Sequence, residues 1–318
     1  MCGICGEIRF DGSSPNGCRT AAMTEAMVAR GPDGGGLWQE GNAALGHRRL
    51  AIIDLSDAGA QPMVDEQGQC TIVFNGCIYN HRELRRQLES LGHRFRSSSD
   101  TEVVLKAYLH WGDGFVDHLV GMFAFALVDQ RAGRTVLVRD RLGIKPLYLA
   151  DVPGGLRFAS TLPALLAGGD VDTSLDPIAL HHYLSWHSIV PAPRTLLRGV
   201  RKLPPATVRT IEGDGRTHDR TYWRPPFERV TGADWSAEEW RAQLLAALRT
   251  AVERRMVADV PVGVLLSGGI DSSVIVALLA DEGQKGLQTF SIGFEAVGDK
   301  DSISSGDLAG QNNNTKAE

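Results

Sequence analysis

Met1-Cys2-Gly3-Ile4-Cys5-Gly6 (MCGICG, residues 1–6) opens the chain. Cys2 and Cys5 form a C-x-x-C, which by spacing alone could be half of a zinc site, a redox pair, part of a disulfide framework, or a motif defined by its position. A structural zinc site needs a second pair of ligands at short spacing. Cys18, Cys70 and Cys77 form no second C-x-x-C, and His181 and His182 are adjacent rather than spaced for a metal. A redox C-x-x-C opens a helix after a strand, and here only one residue precedes it. Five cysteines in 318 residues are too few, and odd in number, for a disulfide scaffold. The positional reading is different. Removal of Met1 would give Cys2 a free α-amine. A free thiol has a pKa near ~8.5 and attacks as thiolate. An α-amine of pKa ~7.7–8.0 is partly neutral near pH 7, so one residue could supply both nucleophile and base. Position alone does not separate this from a buried, inert cysteine.

Composition narrows the class. The chain is 43% hydrophobic and 22% charged, ordinary for a protein with a core, with net charge −5 and pI about 6.0. That balance argues against a nucleic-acid partner. No apolar run reaches the ~20 residues of a membrane helix, and the first residues lack the basic and apolar regions of a signal peptide. The expectation is a cytoplasmic protein with no membrane partner and roughly two domains.

Short strand-like runs fill residues 1 to about 190: Glu7–Phe10, Thr71–Phe74, Met122–Val128, Val136–Val138 and Leu156–Ala159. Helical stretches, Arg19–Ala29, His81–Leu91 and Thr101–Trp111, lie between them, as in a layered α+β domain. Gly/Pro-rich turns, Gly31–Gly36 among them, punctuate it. Residues 191–235, with Pro191, Pro193, Pro204, Pro205, Pro225 and Pro226, read as a connector. A capping box at Ser236–Glu239 then starts an amphipathic helix carrying Trp240, Leu244, Leu248 and Val252. Val262–Leu266, Ser272–Ala280 and Leu287–Ile292 read as strand, helix and strand, the start of a doubly wound sheet. Residues 299–318 are polar, lack periodicity and read as a disordered tail.

Ser267-Gly268-Gly269-Ile270-Asp271-Ser272 joins that strand to its helix. The bland reading is a glycine turn; the sharper one is an anion site at a helix start. It is not a G-x-x-x-x-G-K-[ST] loop. It resembles the S-G-G-x-D-S loop of ATP pyrophosphatases, which cleave ATP between its α and β phosphates. The resemblance implies that Leu266, Ser267, Gly268, Gly269, Asp271 and Ser272 hold the nucleotide's phosphates, with Ile292 and Gly293 of Phe290–Phe294 near its base.

Three further stretches complete the first domain. Gly46–Asp54 offers the cation Arg49 before a strand. Phe74–Asn80 offers the Asn75 amide and the bare Gly76 N–H. Ser98–Glu102 offers the Asp100 carboxylate at a helix cap. Each has an ordinary explanation: a surface arginine, a tight turn, an N-cap. Together with Cys2 they make a kit for amide hydrolysis, with a nucleophile, a base, an oxyanion hole and a clamp for an amino acid, Arg49 taking the α-carboxylate and Asp100 the α-ammonium.

M-C-G-I, R-G-P-D, H-R-R-L, F-N-G-x-I-Y-N, S-D-T-E and the D-R-x-G-x-K-P-L-Y of Asp140–Tyr148 appear in order. With them the chain resembles class II glutamine amidotransferases, and with the loop at 267–272 the glutamine-hydrolysing asparagine synthetase family, from residue 1 to about 297. The resemblance implies an N-terminal-nucleophile glutaminase domain (an αββα sandwich) over 1–190. The connector at 191–235 would lead to the start of an α/β ATP-pyrophosphatase domain (adenine nucleotide α-hydrolase-like) over 236–298. Cys2, Asn75 and Gly76 would be catalytic, and Arg49, Ile53, Asn75, Gly76, Cys77 and Asp100 would bind L-glutamine. Ammonia released there would displace AMP from a carboxylate adenylated by ATP, with Mg²⁺ accompanying the ATP; no protein metal site is implied by the residues themselves.

Two departures stand out. Asparagine synthetases usually have Glu at the position of Cys77, and Glu after F-A-S, where this chain has Thr161. Both, with Tyr183–Ser188 and Val190–Pro193, resemble the N-acetylglutaminylglutamine amidotransferase branch, so the acceptor carboxylate is expected to be N-acetylglutaminylglutamine, with aspartate the alternative. The family also continues well beyond residue 318. The expectation is therefore a truncated synthetase half unable to complete the ATP-dependent step, leaving a glutaminase or an inactive product as further alternatives.

Overall fold

Cys70-Thr71-Ile72-Val73-Phe74 has no charged residue and buries both faces, because a second sheet covers one side and helices the other. The structure, a computed structural model, describes residues 1–227, 235–283 and 286–293. The chain forms two units, Met1–Glu228 and Arg229–Glu318.

The strands of the first unit are β1 (Gly3–Arg9), β2 (Gly34–Glu40), β3 (Ala43–Arg49), β4 (Met63–Val64), β5 (Cys70–Ile78) and β6 (Gly121–Asp129), then β7 (Arg134–Arg139), β8 (Tyr148–Val152), β9 (Gly155–Ala159), β10 (Arg201–Lys202), β11 (Thr207–Glu212) and β12 (Thr217–Thr221). They form one sheet in the order β10-β8-β9-β1-β3-β2 and another in the order β12-β11-β7-β6-β5-β4. The pairings are antiparallel.

Alternation along each strand sorts side chains into layers. Ile4, Ile8, Leu45, Val73, Ala124, Ala126, Leu149 and Phe158 pack between the sheets. Ile72, Phe74, Phe123, Phe125 and Leu127 face α2 (His81–Ser90) and α3 (Asp100–Trp111), joining Leu84, Leu88, Val103 and Val104. Cys5 and Ala159 face α1 (Gly17–Glu25) and α4 (Leu162–Ala167), joining Met23, Ala164 and Leu165. The layers are thus helix, sheet, sheet, helix, the expected αββα sandwich. A further helix, α5 (Pro177–Ser185), starts at the Asp176 cap.

Three local expectations change. Residues 201–221, placed within a connector, supply β10 to one sheet and β11 and β12 to the other, burying Val208 and Ile211. Short polar strands were expected within the connector; what differs is that they extend the two sheets of the first domain. Gly34-Gly35-Gly36, placed in a turn, begins β2; a Cβ on Gly36 would lie 2.3 Å from the Gln61 carbonyl oxygen, so the strand fits only because that side chain is missing. Arg49 ends a strand rather than preceding one.

In the second unit α6 (Ala237–Arg255) starts at a capping box: the Ser236 Oγ accepts from the Glu239 N–H at 3.3 Å, and the Glu239 carboxylate accepts from the Ser236 N–H at 2.7 Å. β13 (Gly263–Leu265), α7 (Ile270–Asp281) and β14 (Gln288–Phe290) follow, and the two strands pair in parallel as expected. Phe294 and the tail at 299–318 lie outside the described residues. Among the described residues no helix is long and apolar enough to cross a membrane.

One polar pair sits inside the αββα layers. Glu7 (2% exposed) accepts from Arg157 Nε at 2.8 Å, and Arg157 (1% exposed) also donates to the carbonyls of Gly168 and Gly169. Removing one member of such a pair strands a buried charge, at a cost of about 3–5 kcal/mol. Glu7→Gln is therefore expected to lower the unfolding free energy in urea by about 3 kcal/mol; a loss under about 1 kcal/mol would show that the Arg157 charge is satisfied without Glu7.

Candidate active site

The alternation that sorts the core also gathers the site. Arg49 on β3 and Asn75 and Cys77 on β5 continue the series Leu45-His47 and Val73 on the inner faces of the two sheets. Cys2 continues the series Ile4–Ile8 on β1, which is paired on both edges, with β3 and β9. The thiol lies against the residue after Arg49: Leu50 N–H donates to Cys2 Sγ at 3.4 Å, and the thiol faces the Leu50 carbonyl at 3.6 Å. Burial pushes the Cys2 thiol up, partly offset by the Leu50 N–H, the chain-terminal ammonium and Arg49, while Asp100 adds to the rise.

The loop after β3 wraps around Arg49, whose guanidinium donates to the carbonyls of Ser56 (2.8 Å) and Asp54. Asp54 holds the turn at φ 55°, in the left-handed region that Asp tolerates. Burial raises its carboxyl, but hydrogen bonds from Ser56 and Ser98 outweigh that and hold it below the usual range. Its bond from the Ser98 N–H, 2.7 Å, ties the Arg49 loop to the start of α3. There Ser99 is the cap, accepting from the Thr101 N–H at 3.1 Å, which leaves Asp100 free to reach β5. Asp100 accepts from the Ile78 N–H at 2.9 Å, beside Cys77. Burial pushes its carboxyl up, opposed by the Ile78 N–H and His81. Gln61 adds a second tie, accepting from the Phe74 N–H (2.6 Å) and donating to Thr101 Oγ1 (3.0 Å). Hydrogen bonds between neighbouring residues thus run in one connected series from Cys2 through the Arg49 loop and Asp100 to the β5 segment carrying Asn75, Gly76 and Cys77. Ile53 lies half-buried in the Arg49 loop.

Asn75 is 1% exposed, and its Nδ2 has no hydrogen-bond partner. A buried amide donor left unmade costs free energy, so it is a donor waiting for an acceptor. Gly76 lies flat against β6: a Cβ there would sit 2.3 Å from the Met122 carbonyl oxygen. Two cations flank Cys2. Arg30 Nε donates to the Cys2 carbonyl at 3.1 Å, while the terminal amine of Met1 donates to the Arg30 carbonyl at 3.0 Å. Lys145, 5% exposed, points its Nζ at Met1 Sδ, 3.1 Å away. Sequence reasoning assigned neither a role, although Arg30 opens the R-G-P-D motif and Lys145 lies in D-R-x-G-x-K-P-L-Y. Cys5 has the inert role: buried against Thr24, its thiol is pushed up to about 12 by burial.

In the second unit the residues expected to bind nucleotide meet at the carboxyl ends of the two parallel strands. The Leu266 N–H bonds to the Phe290 carbonyl at 2.8 Å, and the Ser291 Oγ donates to the Leu266 carbonyl at 2.6 Å. Ile292 and Gly293 follow directly. Gly268 sits at φ 80°, and Gly269 caps α7 without any side-chain cap, leaving first-turn N–H groups beside Asp271 and Ser272 for an anion. This arrangement fits a phosphate chain. Among the described residues no group of three or more His, Cys, Asp or Glu could hold a metal ion.

The glutamine amidotransferase domain model matches residues 1–223. The chain belongs to the glutamine amidotransferase family. The asparagine synthase model matches residues 243–314, past the point near residue 297 where the resemblance was expected to end. The chain is 36% identical to asparagine synthetase [glutamine-hydrolyzing] 3 of Bacillus subtilis, over 93% of this chain and 48% of that protein. It is 40% identical to asparagine synthetase [glutamine-hydrolyzing] 1 of the same organism, over 87% and 43%, and 35% identical to amidase chyE of Penicillium rubens, over 91% and 44%. The chain spans about half the length of these curated relatives. A solved B. subtilis glutamine phosphoribosylpyrophosphate amidotransferase, in complex with ADP and GMP, superimposes with a TM-score of 0.53 at 18% identity, covering 95% of this chain and 69% of that one, and so shares the fold.

His47 gives the site a measurable pH signature. Fully buried two residues before Arg49, it makes no hydrogen bond at either ring nitrogen. Burial pushes it down to about 3, a nearby main-chain group of Phe74 and the Arg49 charge contributing less and in opposite directions. Its folded value lies below the unfolded one of ~6.5, so the unfolded chain binds the extra proton between the two, and stability is lost as pH falls from about 6.5 towards 3. The slope from this one group is at most about 1.4 kcal/mol per pH unit. His47→Gln is expected to flatten urea stability measured between pH 6.5 and 4.5; an unchanged slope would refute the assignment.

Proposed function

We propose that the first unit hydrolyses L-glutamine, with Cys2 as nucleophile once Met1 has been removed. The observation that carries this reading is the buried, unpartnered Asn75 amide beside Gly76. The freed α-amine takes the Cys2 proton as Sγ attacks the side-chain carbonyl of glutamine. The Asn75 amide and the Gly76 N–H receive the developing oxyanion. As the intermediate collapses, the carbon–nitrogen bond breaks, the proton passes to the departing nitrogen, and ammonia leaves a glutamyl thioester. Water then hydrolyses the thioester to glutamate. Arg49 would hold the glutamine α-carboxylate, with Ile53 and Cys77 lining its pocket, and the α-ammonium would provide the counter-charge that the buried Asp100 carboxylate lacks.

The second unit is read as the ATP half of an amidotransferase. Leu266, Ser267, Gly268, Gly269, Asp271 and Ser272 would hold the phosphates, with Ile292 and Gly293 beside the base. ATP would supply the adenylate that activates the acceptor carboxylate, and Mg²⁺ would arrive with the nucleotide. For the acceptor, Cys77, Thr161 and the Tyr183–Pro193 stretch favour N-acetylglutaminylglutamine over aspartate, and a cytoplasmic location goes with either. Acceptor-dependent AMP formation, compared between the two, separates them.

Glutamate release from glutamine tests the first half. Cys2→Ala is expected to abolish it. Asn75→Ala is expected to lower kcat by about 10²–10³ with a smaller effect on KM, as loss of one oxyanion donor does. Full activity in Cys2→Ala would sink the reading.

A further inference from the structure

Lys145 is a buried cation with no ion-pair partner among the described residues. The residue is 5% exposed, and among the described residues its Nζ donates to the thioether of Met1 at 3.1 Å, a weak acceptor. Among the described residues no carboxylate forms an ion pair with it. Burying an unpaired charge is costly, yet the loop is built to put it there. Asp140, 1% exposed, accepts from the N–H groups of Leu142 (3.1 Å), Ile144 (2.9 Å) and Lys145 (2.9 Å), and from Phe123 (3.2 Å), the β6 residue paired with Gly76. Arg139 Nε holds the Lys145 carbonyl at 2.9 Å. Main-chain bonds on both sides thus fix Lys145 in register with the strand pair carrying Gly76 and Cys77.

The charged groups facing this point are Arg30, Asp140, Cys2 and Cys77 around Lys145, with Arg49, Asp100 and the chain-terminal amine around Cys2. Arg49 is assigned to the glutamine α-carboxylate, and the oxyanion has Asn75 and Gly76. The remaining anion that the reaction creates is the Cys2 thiolate. We propose that Lys145 is a positioning residue of the glutaminase site, whose ammonium, released from Met1 Sδ when Met1 is removed, stabilises the Cys2 thiolate and keeps the neighbouring α-amine unprotonated. Removal of Met1 would then serve twice, freeing the base and uncovering the cation. The inference rests on the reading of Cys2 as nucleophile.

The sign follows from charge. A nearby cation favours thiolate over thiol and free amine over ammonium, so its loss moves both titrations to higher pH. The test uses the full chain, produced from a cleavable leader that ends before Cys2. Iodoacetamide alkylation of Cys2 is followed by peptide mass spectrometry from pH 6 to 10. In Lys145→Met and Lys145→Gln the midpoint is expected to rise by roughly half a unit or more, while Lys145→Arg keeps the wild-type profile. A purely structural lysine would lower Tm in these variants without moving the midpoint. An unchanged midpoint in whichever neutral variant keeps the wild-type fold overturns the proposal. Glutamate release is measured in parallel on the wild type. Its absence would count against glutamine hydrolysis, whereas the alkylation midpoint reports on Lys145 whether or not glutamine is turned over.

Discussion

The position of β1 constrains everything else in the first unit. It is hydrogen-bonded along both edges, to β3 and to β9, so the residues before it cannot wander at a sheet margin. The strand delivers Cys2 to the inner side of its sheet, against the Leu50 N–H at the end of β3. A thiol held there has lost water and gained one weak donor, which explains why burial dominates its titration. The surrounding charges therefore decide whether it can ionise, and they come from four different segments: Arg30, Arg49, Asp100 and Lys145.

Those segments are locked together by carboxylates that accept main-chain N–H groups. Asp54 links the Arg49 loop to Ser98, Asp100 links α3 to Ile78, and Asp140 links the Lys145 loop to Phe123. A main-chain donor has a direction fixed by its strand or helix, so each carboxylate sets the approach of two elements to within a hydrogen bond. A neutral side chain of the same shape would make these bonds more weakly, because charge-assisted bonds are roughly twice as strong. The three aspartates do for the site what apolar packing does for the layers.

The sequence made part of this legible. Cys2, Arg49, Asn75, Gly76 and Asp100 could be picked out because each supplies a distinct chemical group, and the strand–loop–helix around Ser267–Ser272 could be read because its apolar run, glycines and cap follow local rules. What stayed hidden is non-local. The Gly34–Gly36 run looks like a turn until Gln61 packs against it. The short strands at 201–221 could be read as strands of a connector, but not as part of the first domain's sheets, because that depends on the edges that β7 and β8 offer. Lys145 and Arg30 sit in visible motifs, but what brings them to the start of the chain is contact with Met1 across more than a hundred residues in one case and with Cys2 across nearly thirty in the other.

Cys77 follows from the same electrostatics. A glutamate at that position would place a negative charge within reach of Lys145 and would neutralise it directly. A thiol carries no such permanent charge, so the carboxylate acting on the lysine, whose main chain Asp140 and Arg139 hold, is that of Asp140. With Cys77 this region carries one negative charge fewer than with a glutamate, which favours an ionised Cys2; on the proposed reading, Asp100 would then meet the glutamine ammonium with less help from other acids.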